Sequence, residues 1–241
     1  MIELYQFPLS HYCEKVRWAL DYKKLHYTPR NLLPGLHIKK AKKLSKSSSL
    51  PILLHNGFAV SGSTDIITYL EQQFPDYTLT PLDAQLRHET LRWESYADNE
   101  IGGYVRQVCY HTLLDHPDLV IPFFTNNGPW YGRFLLKRIF PQLQSRMRRY
   151  MDVNDQSVEF ALQKLDQAID KIAAHLQARE FFVGQQFTRA DIGVASLLAP
   201  FCRPQKYGLD WPERYPDKLE EVVERYAQKL NWVNDLYKLY R

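Results

Sequence analysis

The rhythm of the chain changes near residue 80, and that change limits the folds open to it more than any other feature. Before it, short strand-like and helix-like pieces alternate. "IELYQF" (2–7) is rich in β formers. "HYCEKVRWALDYKK" (11–24) places Cys13, Val16 and Leu20 on one helical face, with charge elsewhere. "LHYTPRNLL" (25–33) is a second strand whose Pro29 suits a sheet edge. "LPILLHNGFAV" (50–60) is a hairpin turning at Asn56-Gly57, and "STDIITYLEQQF" (63–74) is an amphipathic helix that Ser63 would cap. After "FPDYTLTP" (74–81), bracketed by Pro75 and Pro81, only helical periodicity remains, from "DAQLRHETLRWESYADNEIGGYV" (83–105) to "NWVNDLYKLY" (231–240). A chain of 241 residues has room for one large or two modest domains. The break divides it into a mixed unit over 1–80 and an all-helical unit over 86–241.

The order β-α-β-(α)-β-β-α joins a βαβ unit to an antiparallel hairpin and a closing helix. The product is a four-stranded mixed sheet, the thioredoxin-like arrangement, in an α+β domain followed by an all-α one. Several classes fall away. No run of 18 apolar residues exists, so no membrane span is expected. The start, "MIELYQFPLS", lacks a basic stretch before an apolar core, so no secretory signal is expected. Cys13, Cys109 and Cys202 are odd in number and far apart, which fits neither a disulfide framework nor a metal site, and suits a reducing cytoplasm. A net charge of +4 is too dispersed to call for nucleic acid. The basic runs 39–46 and 137–149 read as solvated helix faces.

Ser10 ends the loop after the first strand and opens the first helix. A helix N-terminus carries unpaired N–H groups and a partial positive charge, and so favours anions. A hydroxyl there can donate to an anionic sulfur and lower the pKa of a visiting thiol. Read blandly, it is a helix cap. Leu50-Pro51 is a site for a cis bond that leaves the backbone of Leu50 open to an extended peptide. Ser63 marks a second helix start. A tripeptide with a thiol and free carboxylates would suit all three.

At these residues the chain resembles the cytosolic glutathione S-transferases of the serine type. "PLSHYCEKVRWAL" (8–20), "SLPILLHNG" (49–57) and "VSGSTDIITYLEQQFP" (60–75) carry the resemblance in the first half. "FFVGQQFTRADIGVASLL" (181–198) carries it in the second, where Thr188 and Asp191 form a capping box and Phe187 is placed as a staple. The resemblance implies a cytoplasmic, homodimeric detoxification enzyme with glutathione as co-substrate. Ser10 would orient the thiolate, Leu50 with Pro51 would hold the cysteinyl backbone, Ser63 would receive the γ-glutamyl carboxylate, and His37 and Lys40 would serve the glycine carboxylate. Two departures stand out: Gly62 where many members have an acid, and "LSKSSS" (44–49) before the Leu-Pro turn.

The second substrate, a hydrophobic electrophile, would sit between the domains. Phe7, Leu9 and Tyr12 would floor its pocket, and Tyr96, Gly103, Tyr104 and Gln107 would wall it. Gly102-Gly103 inside a helix costs about 1–2 kcal/mol relative to alanine, which marks a close approach or a kink. Segment 123–151, with Trp130 and Tyr131 at its turn, would lid the pocket or dock a partner or an acidic membrane face. Other readings stay open at this stage. The fold could carry glutathione or hydrophobic ligands without catalysis, or only scaffold partners. Cys13 could make the chain a thiol-disulfide, dehydroascorbate or peroxide reductase, or be a small core residue.

Overall fold

The computed structural model covers residues 1–241. Its sheet has the strands β1 (Ile2–Gln6), β2 (Thr28–Asn31), β3 (Ile52–His55) and β4 (Phe58–Ser61), in the order β2-β1-β3-β4. β1 and β2 are parallel, while β1/β3 and β3/β4 are antiparallel. Pro29 therefore does lie on an edge strand, where a missing N–H costs no ladder bond. Asn56 and Gly57 both take positive φ (50° and 88°), as the tight hairpin requires.

Three helices belong with the sheet: α1 (His11–Tyr22), α2 (His37–Leu44) and α3 (Ser63–Gln73). Seven more follow: α4 (Ala84–Ala97), α5 (Gly103–Leu113), α6 (Pro117–Thr125), α7 (Gly132–Tyr150), α8 (Asp155–Leu176), α9 (Arg189–Cys202) and α10 (Asp217–Tyr240). A π turn, Asp98–Gly102, joins α4 to α5.

α1 is covered on two sides. Val16 and Leu20 pack on the sheet with Leu4, Leu53, Ile66 and Leu70. Trp18 and Ala19 join the large core of the helical half, around α9, whose residues are nearly all buried. The charge expected on an open face is buried too. Glu14, Lys15 and Arg17 lie inside because the second half covers that face. Each is paired. The Lys15 ammonium lies 2.9 Å from Glu94 and 2.9 Å from Asp98. Arg17 lies 2.6 Å from Glu14, and Arg241 reaches Glu14 at 2.8 Å. The link after α3 is held, not slack: Leu79 is buried and its carbonyl accepts from Arg189 N–H at 2.9 Å.

The Thr188/Asp191 capping box forms, with Asp191 accepting from Thr188 N–H at 2.8 Å and from Phe182 N–H at 2.9 Å. Phe187 stacks on Tyr240, ring centroids 4.5 Å apart, so it ties α9's start to α10.

Candidate functional site

Ser10 caps α1 in extended backbone, and its Oγ accepts from Cys13 N–H at 3.3 Å. The side chain is half-buried at the end of the Phe7–Ser10 loop. Two groups hold that loop. Tyr207, in the 3-10 turn after α9, donates its hydroxyl to Leu9 carbonyl at 2.8 Å. Arg17 donates to Pro8 carbonyl at 3.1 Å and stacks 5.3 Å from the Tyr207 ring centroid. Neither is apparent from spacing, since Tyr207 lies 198 residues from Leu9.

Cys13 is fully buried, and burial pushes its thiol above the usual range. It sits in the structure as a buried residue of α1. Cys109 and Cys202 are also free and raised by burial.

The Leu50-Pro51 bond is cis. The α3 cap, however, is Gly62, at φ 96°, and Ser63 is the first helical residue, 7% exposed. The glycine supplies a backbone angle a larger residue adopts only under strain, so the chain turns one residue earlier than a serine cap would give. A Cβ placed on Gly62 would lie 3.5 Å from an Asp65 carboxylate oxygen. His37 opens α2 with its ring edge-on to Phe7, centroids 4.7 Å apart, and burial lowers its pKa. Lys40 instead sits over the Tyr5 ring, in an open polar groove with Glu3, Arg30 and Asn127.

The second-substrate candidates on α5 have these surroundings. Gly103 has open space around it, Tyr104 faces Phe160 of α8, and Gln107 donates to the carbonyls of Met151 and Asp152, each at 3.2 Å. The close approach belongs to Gly102, where an added Cβ would come 2.6 Å from Tyr12 Cζ. Tyr12 is a strut between the halves, its hydroxyl donating to Asp98 carbonyl at 2.9 Å, and burial lifts its pKa to about 12. Arg106 and Tyr110 follow Gly102 at four-residue spacing, on the same side of the chain. Arg106 acts on His11, Tyr12 and Tyr110 alike.

Trp130 does not lid the cleft, being 94% exposed. Asn31 holds the turn before it by donating to the carbonyls of Asn126 and Asn127, at 3.2 and 3.1 Å, and Gly132 packs on Leu33. This fixes the segment to the β2 edge and leaves the indole outside.

Two family profiles match in register with this fold: "Glutathione S-transferase, N-terminal domain" over residues 4–78, and "Glutathione S-transferase, C-terminal domain" over residues 155–225. The chain belongs to the glutathione S-transferase family. Glutathione S-transferase 1 of Dianthus caryophyllus is 37% identical over 89 residues. That match covers 36% of this chain and only 40% of the length of that relative. Glutathione S-transferase TCHQD of Arabidopsis thaliana is 20% identical over 250 residues, covering 94% of this chain and 85% of that protein. A crystal structure of a glutathione S-transferase from Methylobacterium radiotolerans, in complex with glutathione sulfonate, has a TM-score of 0.59 at 22% identity. It covers 96% of this chain and 94% of that one, a likeness of fold. The two glutathione S-transferase matches leave residues 79–154 between them. That stretch contains α4–α7, and with them Arg106 and Trp130.

Proposed function

We propose that this chain is a serine-type glutathione transferase, in which Ser10 keeps the glutathione sulfur ionised for attack on an electrophilic carbon. One observation carries the reading. Ser10 Oγ already accepts from the helix, through Cys13 N–H, so its own proton remains for a ligand. A sulfur placed there meets a hydroxyl donor and the positive end of α1, and both favour the thiolate. The protein's own nearby thiol is buried and raised, so the reactive sulfur is the ligand's. The new S–C bond forms as the electrophile's leaving group departs with its electron pair. No protein base is required.

In the same reading, the peptide groups of Leu50 pair with the cysteinyl backbone, and the first turn of α3, with Ser63, receives the γ-glutamyl carboxylate. Asp65, its carboxylate beside the side-chain position that Gly62 leaves empty, replaces the family's missing acid toward the ammonium. His37, against Phe7, is the better-placed partner for the glycine carboxylate. A homodimer remains part of the reading from family membership alone.

The test is Ser10→Ala against wild type, with 1-chloro-2,4-dinitrobenzene as electrophile. Loss of one such donor costs on the order of 2–3 kcal/mol, about a hundredfold in kcat/KM. Ultraviolet titration of bound glutathione should show the thiol pKa rising in the variant, with its far-UV circular dichroism retained. Equal turnover and equal thiol pKa would remove Ser10 from the chemistry. Retention on immobilised glutathione without turnover of any electrophile would favour the carrier reading.

A further inference from the structure

We infer that Arg106 places a fixed positive charge on the second-substrate side of the cleft, so that the preferred electrophile carries an acidic group such as a carboxylate or sulfonate. This rests on the transferase reading and adds a substrate class to it.

The cations buried in the interior each have a carboxylate close by, whereas Arg106 is half-buried. Lys15 has Glu94 at 2.9 Å, Arg17 has Glu14 at 2.6 Å, Lys23 has Glu71 at 2.8 Å and Arg189 has Glu94 at 2.8 Å. Arg106 has no such ion pair, and its Nε is buried with no hydrogen-bond partner. A buried donor left unsatisfied is costly, more so when charged, and an anion that pairs with it recovers that loss. Asp98, which also acts on Tyr12, is not free to serve, because its carboxylate oxygens are held by Lys15 and Thr64 at 2.6–2.9 Å.

Its position gives the charge a purpose. Gly102, the last residue of the π turn, fits under Tyr12 of α1, and Arg106 lies one turn further along, in α5. It lies close enough for its charge to act on His11 and Tyr12, in the first turn of α1 that Ser10 opens. A second orphan lies there: His11, next to Ser10, is 6% exposed and its Nε2 is buried with no partner. Burial and the Arg106 charge keep His11 neutral, its pKa lowered to about 3, so it adds a polar contact and no competing charge. A guanidinium offers five donors in a planar fork suited to carboxylate or sulfonate.

The experiment compares matched probes. Activity uses 4-chloro-3,5-dinitrobenzoate and its neutral carboxamide, both losing chloride to the glutathione thiolate. Binding uses 3,5-dinitrobenzoate and 3,5-dinitrobenzamide, which do not react, followed by calorimetry. Wild type should favour the benzoate in both. Arg106→Gln should lower the benzoate-to-amide ratio, in kcat/KM and in affinity, by about tenfold, and Arg106→Lys should restore part of it. An unchanged ratio in Arg106→Gln overturns the inference, as does a wild type that binds the two inert probes equally. If wild type turns over neither chlorinated probe, the transferase reading fails. The binding ratio still decides the charge.

Discussion

His11 makes the first turn of α1 sensitive to acid. In the folded chain, burial and the Arg106 charge hold its pKa near 3, whereas an unfolded histidine titrates near 6.5. Below pH 6.5 the unfolded state therefore binds the extra proton first, and stability falls as pH drops from about 6.5 toward 3. The slope for one such group approaches about 1.4 kcal/mol per pH unit. His11→Gln removes this titration. Urea unfolding of both proteins from pH 7.5 to 4 should show wild type losing its advantage over the variant as the pH falls. A difference that does not vary with pH would show that His11 titrates in the folded state as it does in the unfolded one.

At the scale of elements, α1 lies between the two halves and is the hardest piece to read from sequence. The periodicity of Cys13, Val16 and Leu20 correctly points one face at the sheet. Nothing local shows that Glu14, Lys15 and Arg17 are buried too, because their partners Glu94, Asp98, Gln6 and Arg241 come from distant segments. The hairpin at Asn56-Gly57, the cis Leu50-Pro51 bond and the Thr188/Asp191 cap were legible, since backbone chemistry within a few residues decides each. The close approach at Gly102 was not, because either of two adjacent glycines could make it and only the position of the Tyr12 phenol selects between them. Ser63 missed the cap position by one residue for a similar local reason, the positive φ of Gly62. Burial of Lys15 leads to a test. Lys15→Met leaves Glu94 and Asp98 facing each other with less compensation, at a cost on the order of 3–5 kcal/mol. Chemical denaturation measures it. A loss below about 1 kcal/mol would mean that water or Arg189 already neutralises that pair of acids.

For the whole molecule, the last turn of α10 braces the back of α1. Trp18 Nε1–H donates to Tyr240 carbonyl at 2.9 Å, and Arg241 pairs with both Glu14 and Asp21. Glu14 keeps Arg17 when Arg241 is removed, so Arg241→Ala should cost only about 1–2 kcal/mol, a fall in Tm of roughly 2–8 °C for a chain of this size. Differential scanning calorimetry reads it directly, and an unchanged Tm would reduce the brace to a surface contact. The sharing of α1 has a wider consequence. The first eighty residues are not a cassette that can be lifted out or grafted elsewhere: cut free, they would expose the indole of Trp18 to water and strand Lys15 without its acids. Ser10 belongs to one half by sequence, but the helix that it caps is owned jointly.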